Sequence, residues 1–176
     1  MRRLTANAAA MLVAGAVILP VAVAATQPSL PSLFARQITA INRAPHAPPV
    51  LLPRSMPLDA KRMFATGGAG GAGGGRVPGY DLEIGAVKRC GGANACFVAG
   101  FTAATGGKVF GKRVTVKGAS RAAFEPLSCG ASCSPPQIDF VWHGVLYTIQ
   151  ANLKTTQTDR AALIAAAQSA ISAGPR

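Results

Sequence analysis

The chain has 176 residues, which is enough for one globular domain with terminal extensions. Its 18 Lys and Arg residues outnumber 6 Asp and Glu residues, so the formal net charge is +12. Such an excess favours acidic partners, for example anionic lipid headgroups or acidic cell-wall polymers. The cations are scattered and match neither a recognition helix nor a zinc finger, so we expect no specific recognition of nucleic acid.

The N-terminus has the three parts of an export signal. Arg2 and Arg3 precede an apolar stretch, which a proline ends just ahead of a small-x-small sequence that finishes at Ala24. We therefore expect residues 1–24 to be a signal peptide that is cleaved after Ala24. The alternative is an uncleaved membrane anchor, because the apolar run of residues 8–25 is nearly long enough to span a bilayer.

Residues 25–79 are predicted to be an arm ahead of the folded domain. Leu30, Phe34 and Ile38 recur at helical spacing, which predicts a short amphipathic helix that packs on the domain or on a membrane surface. Further along, six prolines flank the glycine-rich run GGAGGAGGG at residues 67–75. Prolines remove backbone donors and glycines raise the entropy cost of ordering, so this composition is typical of a flexible linker.

The folded domain is predicted to span residues 80–176. Alternating apolar and polar residues predict a strand at residues 80–87, and a run of apolar and aromatic residues predicts a buried strand at 95–103. Two valine-rich stretches around a glycine predict a hairpin or a bulged strand at 109–116, and a short strand follows at 122–127.

The segment IDFVWHGVLYTI at residues 138–149 predicts a β-hairpin with a two-residue turn at His143-Gly144. The expected pairs are Trp142 with Val145, Phe140 with Tyr147, and Ile138 with Ile149. Because side chains alternate between the faces of a strand, these six residues share one face. A covering helix would bury that face, so we expect Trp142, Phe140 and Tyr147 to belong to the core.

The C-terminal part of the chain predicts a helix. Thr156 and Asp159 have the spacing of a capping box, and Gly174 marks the end of the apolar stripe. The stripe consists of Leu163, Ile164, Ala167 and Ile171. Strands followed by one covering helix predict an α+β fold, with a small antiparallel β-sheet covered by the C-terminal helix.

Four cysteines fall within the predicted domain: Cys90, Cys96, Cys129 and Cys133. In an exported chain, an even number of cysteines indicates disulfides. Glycines in both short loops favour the local pairing, Cys90–Cys96 with Cys129–Cys133, although two crossed pairings would close larger loops and stabilise more. The spacings fit neither a thioredoxin-like redox motif nor a pair of zinc knuckles, so no metal site is expected.

No residue is predicted to be catalytic, and no cofactor is expected. The formal G-x-G-x-x-G of the glycine run lacks the strand and helix that a dinucleotide site requires. His46 lies among prolines and His143 lies at the predicted turn, so neither is placed to act as a catalytic base. The carboxylates of Asp81, Glu83 and Asp139 are expected to face outward beside lysines and arginines.

Four features of the domain together form a pattern: CGGANACF, CGASCSPPQI, W-x-G-V-x-Y-T-I and the alanine-rich terminal helix. This pattern resembles small uncharacterised exported domains of high-GC bacteria. Its last part is similar to extracytoplasmic domains attached to anti-sigma and sporulation-associated proteins. The resemblance covers residues 80–176 and implies no catalytic residue.

These features predict a non-enzymatic domain of the cell envelope or the extracellular space, with a binding or structural role. Its partner is expected to be an anionic envelope polymer or a membrane surface, because of the basic balance. One alternative is a hydrolase of envelope polymers that uses Asp139 or Glu83, which requires a second carboxylate at glycosidase separation. The other is a membrane-anchored subunit of an envelope complex.

Overall fold

A computed structural model describes residues 29–70, 77–91 and 93–176. The predicted signal peptide or anchor and the glycine run beyond residue 70 lie outside the described residues. Among the residues that are described, no helix is both long enough and apolar enough to cross a membrane.

The described chain forms three helices and nine strands. The helices are α1 (Leu30–Leu33), α2 (Ala35–Arg43) and α3 (Asp159–Ala173). The strands are β1 (Phe64–Ala69), β2 (Gly79–Gly85), β3 (Phe97–Thr105), β4 (Lys112–Arg113), β5 (Arg121–Glu125), β6 (Ser128–Cys129), β7 (Cys133–Ser134), β8 (Gln137–Trp142) and β9 (Val145–Ala151).

Seven strands form one antiparallel sheet in the order β1-β2-β3-β9-β8-β5-β4, and β6 pairs with β7 in a separate ribbon. The predicted class is confirmed, because this is an antiparallel sheet with a C-terminal helix packed against it. Three of the predicted strands correspond to β2, β3 and β5. Of the predicted hairpin at residues 109–116, only β4 is a strand.

The hairpin of β8 and β9 has the predicted turn and register. His143 and Gly144 both adopt positive φ angles, 48° and 79°, as a two-residue type I′ turn requires. The rings of Phe140 and Tyr147 are stacked across the strands, with their centroids 5.5 Å apart. Both side chains are buried in the core, whereas Trp142 is only partly buried.

Helix α3 begins two residues later than a cap at Thr156 would place it. The cap is Thr158, whose hydroxyl accepts a hydrogen bond from the backbone N–H of Ala161 at 3.3 Å. The hydroxyl of Thr155 accepts a hydrogen bond from the N–H of Gln157, which closes a turn of its own ahead of the helix. The predicted capping box at Thr156 is therefore wrong.

The buried side of α3 is made mostly of alanines. It consists of Ala162, Leu163, Ala166, Ala167 and Ala170. Ile164 and Ile171, which were predicted to belong to the apolar stripe, are only partly buried. Small side chains let the helix approach β8 closely, which explains why so few large residues are needed at this contact.

Part of the predicted arm, residues 30–58, contributes to the same core as the sheet. Nine side chains from residues 30–58 join the same hydrophobic cluster as the sheet: Leu30, Phe34, Ile38, Ile41, Val50, Leu51, Leu52, Met56 and Leu58. The proline-rich backbone finds partners in two buried tyrosines. The hydroxyl of Tyr80 accepts from the N–H of Leu51, and the hydroxyl of Tyr147 donates to the carbonyl of Pro49.

The glycine-rich run also contributes to the sheet. Strand β1 ends inside the run and pairs with β2 along its whole length. Gly67 has a φ of 118°, and a Cβ atom there would collide with the backbone carbonyl of Asp81. Only glycine fits this position without strain, so at least this glycine serves close strand pairing rather than flexibility.

Candidate functional site

The four cysteines form two disulfides, Cys90–Cys96 and Cys129–Cys133, which are the two local pairs. Cys129 and Cys133 lie directly opposite each other in the β6–β7 ribbon, where both are exposed. Cys90 is buried at the edge of the core, against Gly85. Disulfides form and persist in oxidising compartments, so this framework indicates an exported protein.

Residues 106–121 form a basic surface at the β4 end of the sheet, which we call the basic edge. It contains five cations and no acidic residue. All five side chains are exposed: Lys108, Lys112, Arg113, Lys117 and Arg121. Sequence reasoning treated the cations of the whole chain as scattered, although this run of 16 residues carries a detectable local excess of charge.

An exposed aromatic side chain lies in the middle of the basic edge. Phe110 is 64% exposed, although the sequence predicted it to lie in a strand. Its position is fixed from both sides by the backbone. The N–H of Phe110 donates a hydrogen bond to Asp139 at 3.0 Å, and Gly111 turns the chain with a φ of 101°. A side chain at Gly111 would collide with the carbonyl of Phe124.

A cavity of about 430 Å³ opens beside Phe110. Arg113 and Arg121 line it together with Thr115 and Ser120, and valines, alanines and Gly111 form the rest of the wall. No carboxylate lines this cavity. Within the part of the chain that the structure describes, neither arginine forms an ion pair. The cavity is therefore suited to an anion, because guanidinium groups bind phosphate and carboxylate oxygens in a fixed fork geometry.

Asp139 does not face solvent, so its predicted outward position is wrong. The side chain is only 2% exposed, because residues 106–111 cross over this part of the sheet face. Its two carboxylate oxygens accept hydrogen bonds from the N–H of Phe110 and, at 2.7 Å, from the hydroxyl of Thr148. Burial raises the pKa of Asp139, and the two hydrogen bonds oppose that shift. Asp139 thus contacts the backbone of the loop that carries Phe110.

The open face of β2, β3 and β9 carries a second, smaller cavity of about 240 Å³. Its lining combines two carboxylates with amides, hydroxyls and one aromatic ring: Asp81, Glu83, Asn94, Phe97, Gly100, Thr102, Thr148 and Gln150. Asp81 and Glu83 share this face because they are two residues apart on β2. Partial desolvation raises the pKa of Asp81.

No protein-family model, curated protein or solved structure matches this chain. The geometry of the two surfaces is therefore the basis for assigning a function. The structure brings Glu83 together with Asp81, and it places Asp139 under the basic edge instead. The carboxylate pair that a hydrolase would need is thus Asp81 with Glu83, whose shared strand face the sequence predicts but whose joint role in a site it does not.

The two histidines are placed by backbone geometry rather than by a shared site. His143 occupies the hairpin turn beside the Trp142 ring, and His46 adopts a φ of 61° in the loop after α2. Neither lines the basic cavity or the open-face cavity. Among the described residues, no group of three or more His, Cys, Asp or Glu side chains is arranged to hold a metal ion.

Proposed function

We propose that this chain is an exported, disulfide-bonded domain that binds acidic components of the cell envelope through its basic edge. The observation that carries the proposal is the grouping of five exposed cations in residues 106–121, with no acidic residue among them. Removal of the predicted signal peptide leaves 16 Lys and Arg against 6 Asp and Glu, a net charge of +10. The chain without its signal peptide is therefore attracted to anionic surfaces, and the basic edge is the part of the protein that would face them.

A double substitution in β4 tests where the acidic partner binds. Lys112→Gln with Arg113→Gln should weaken binding to isolated cell walls or anionic vesicles by about 30-fold, since each cation contributes about 1 kcal/mol at an anionic surface. Binding of the wild-type chain should also fall from low to physiological ionic strength, because exposed charges are screened. Cosedimentation over a salt series measures both effects.

The matched control is Lys88→Gln with Arg89→Gln, which removes the same charge from an exposed loop outside the basic edge. This variant should bind several-fold more tightly than the β4 variant. Equal losses in the two variants would mean that net charge alone drives binding. Binding that does not respond to salt would contradict the proposed function as a whole.

The open-face cavity supports a second candidate function, the hydrolysis of an envelope polymer. Because the Cα atoms of residues i and i+2 are about 7 Å apart in a strand, the carboxyl groups of Asp81 and Glu83 on one face of β2 can come within the range needed to act on one glycosidic bond. Phe97 and the neighbouring amides could position a sugar ring. If this function is correct, Glu83→Gln should abolish the release of reducing sugar from purified cell walls, whereas Asp59→Asn, an exposed carboxylate elsewhere, should not. An inactive wild-type chain would exclude this candidate.

The remaining alternative, a membrane-anchored subunit of an envelope complex, depends on residues 8–25. These lie outside the described residues, and the intact mass of the exported protein would reveal whether they are retained.

A further inference from the structure

We propose that the acidic partner is an anionic lipid bilayer, and that Phe110 inserts into its headgroup region while the basic edge contacts the lipid phosphates. This inference rests on the proposed function and names the partner of the same surface. It is carried by the position of Phe110, by the way its loop is held, and by the cavity next to it.

The exposed ring of Phe110 among cations favours a bilayer as the partner. Lys108 lies on one side of it and Lys112 and Arg113 lie on the other, and its ring is 64% exposed. Cations on an edge strand often serve to prevent the strand from pairing with another chain. An exposed phenyl ring would favour such association, so this role does not explain Phe110. An aromatic ring among cations is the arrangement that surface-bound proteins use at the boundary between headgroups and acyl chains.

The loop presents the ring in a fixed position. The backbone of Phe110 is bound to the buried carboxylate of Asp139, and Gly111 packs against the carbonyl of Phe124. The exposure of the ring is therefore a property of the folded loop and not of a frayed chain end. A loop that is ordered before binding loses little conformational entropy when it enters the membrane surface.

The cavity beside Phe110 matches the chemistry of a lipid headgroup. Val109 and Gly111, the two neighbours of Phe110, line it together with Arg113 and Arg121. Two guanidinium groups can hold the oxygens of a phosphate, while the apolar remainder of the wall tolerates the first carbons of a lipid. The ring of Phe110 would then lie just below the lipid phosphates, while the arginines would contact the phosphates themselves.

A cell-wall polymer is the competing occupant, and it would use the surface differently. A polyanion held by its charge alone needs the cations and makes no use of an exposed phenyl ring. The contribution of Phe110 to binding therefore distinguishes the bilayer from the polymer.

The test measures binding of the chain without residues 1–24, which retains every core residue among those that the structure describes. The probes are vesicles of phosphatidylglycerol mixed with phosphatidylcholine, vesicles of phosphatidylcholine alone, and isolated cell walls. Phe110→Ala should weaken binding to the anionic vesicles by about tenfold and leave binding to walls unchanged. Leu127→Ala is the matched control, because Leu127 is also an exposed apolar residue, at 55%, but lies outside the basic edge. It should bind as the wild type does.

The outcomes separate this inference from the proposed function. Binding to walls but not to anionic vesicles would overturn the bilayer and identify the polymer as the partner. Anionic vesicle binding that is salt-sensitive but equal in Phe110→Ala and wild type would also overturn it, while leaving the proposed function intact. Failure to bind any anionic probe would contradict both. Equal unfolding midpoints of the two variants and the wild type would show that folding does not account for the difference.

Discussion

Replacement of Phe34 by alanine should lower the free energy of unfolding by about 4 kcal/mol. The side chain is fully buried at the junction of α1 and α2, and its ring packs edge-to-face on Phe101 of β3, with centroids 5.8 Å apart. Truncation would leave a cavity between the helices and the sheet, because close-packed interiors relax only partly. Chemical denaturation of the variant and the wild type measures the loss.

Arg36→Ala is the control for this substitution, since Arg36 lies on the exposed side of α2. It should change stability by less than about 0.5 kcal/mol, as surface substitutions usually do. A small effect of Phe34→Ala would mean that residues 29–58 dock only loosely on the sheet. In that case residues 80–176 would describe the folded unit better.

The hairpin of β8 and β9 could be predicted in detail because its information is local. A strict period of two fixes which side chains share a face, and the turn residues fix the register. His143 and Gly144 meet the requirement for positive φ, so pairing could proceed outward from the turn without reference to the rest of the chain.

The N-terminal segment could not be predicted in the same way, because its partners are distant in sequence. A proline-rich stretch has few donors to offer a sheet, so composition indicates a linker. Two of its remaining polar groups are satisfied by tyrosine hydroxyls: the N–H of Leu51 donates to Tyr80, and the carbonyl of Pro49 accepts from Tyr147. These bonds join residues 29 and 98 positions apart. No local pattern reveals such partners.

The candidate site shows the same division between local and distant information. The charge excess of residues 106–121 is visible in the sequence, but its position depends on β4 being the last strand of the sheet. The alternation of side chains along β8 correctly places Asp139 on the sheet face opposite the core. The same pattern cannot show that residues 106–111 cross that face and bury the Asp139 side chain.

Replacement of Asp139 by alanine should lower the free energy of unfolding by about 3 kcal/mol. The change leaves the N–H of Phe110 and the hydroxyl of Thr148 without their acceptor, and a buried donor that loses its partner costs about 1–3 kcal/mol. Asp81→Ala is the matched control. Asp81 lies on the same face but is exposed, so its loss should change stability by less than about 0.5 kcal/mol.

The contribution of Asp139 should depend on pH in a direction opposite to that of a salt-bridged carboxylate. Burial raises its pKa in the folded protein above the ordinary value of 3.8, so the native state binds more protons than the unfolded state between these two values. Its stabilising contribution is therefore complete below about pH 3.8, and it declines as the pH rises through the folded pKa. The stability difference between wild type and Asp139→Ala should be largest in acid.

Denaturant titrations of both proteins at a series of pH values would measure this difference directly. A difference that grows with rising pH would mean that the two hydrogen bonds outweigh burial, and that the folded pKa of Asp139 lies below 3.8 instead.

The carboxylate of Asp139 also accepts a hydrogen bond from the backbone of Phe110, in the loop of the basic edge. If Asp139 anchors that loop, Asp139→Ala should also increase amide hydrogen exchange across residues 106–111, under conditions where the rest of the sheet stays protected. Unchanged exchange there would show that the loop is held by Gly111 and its neighbours alone.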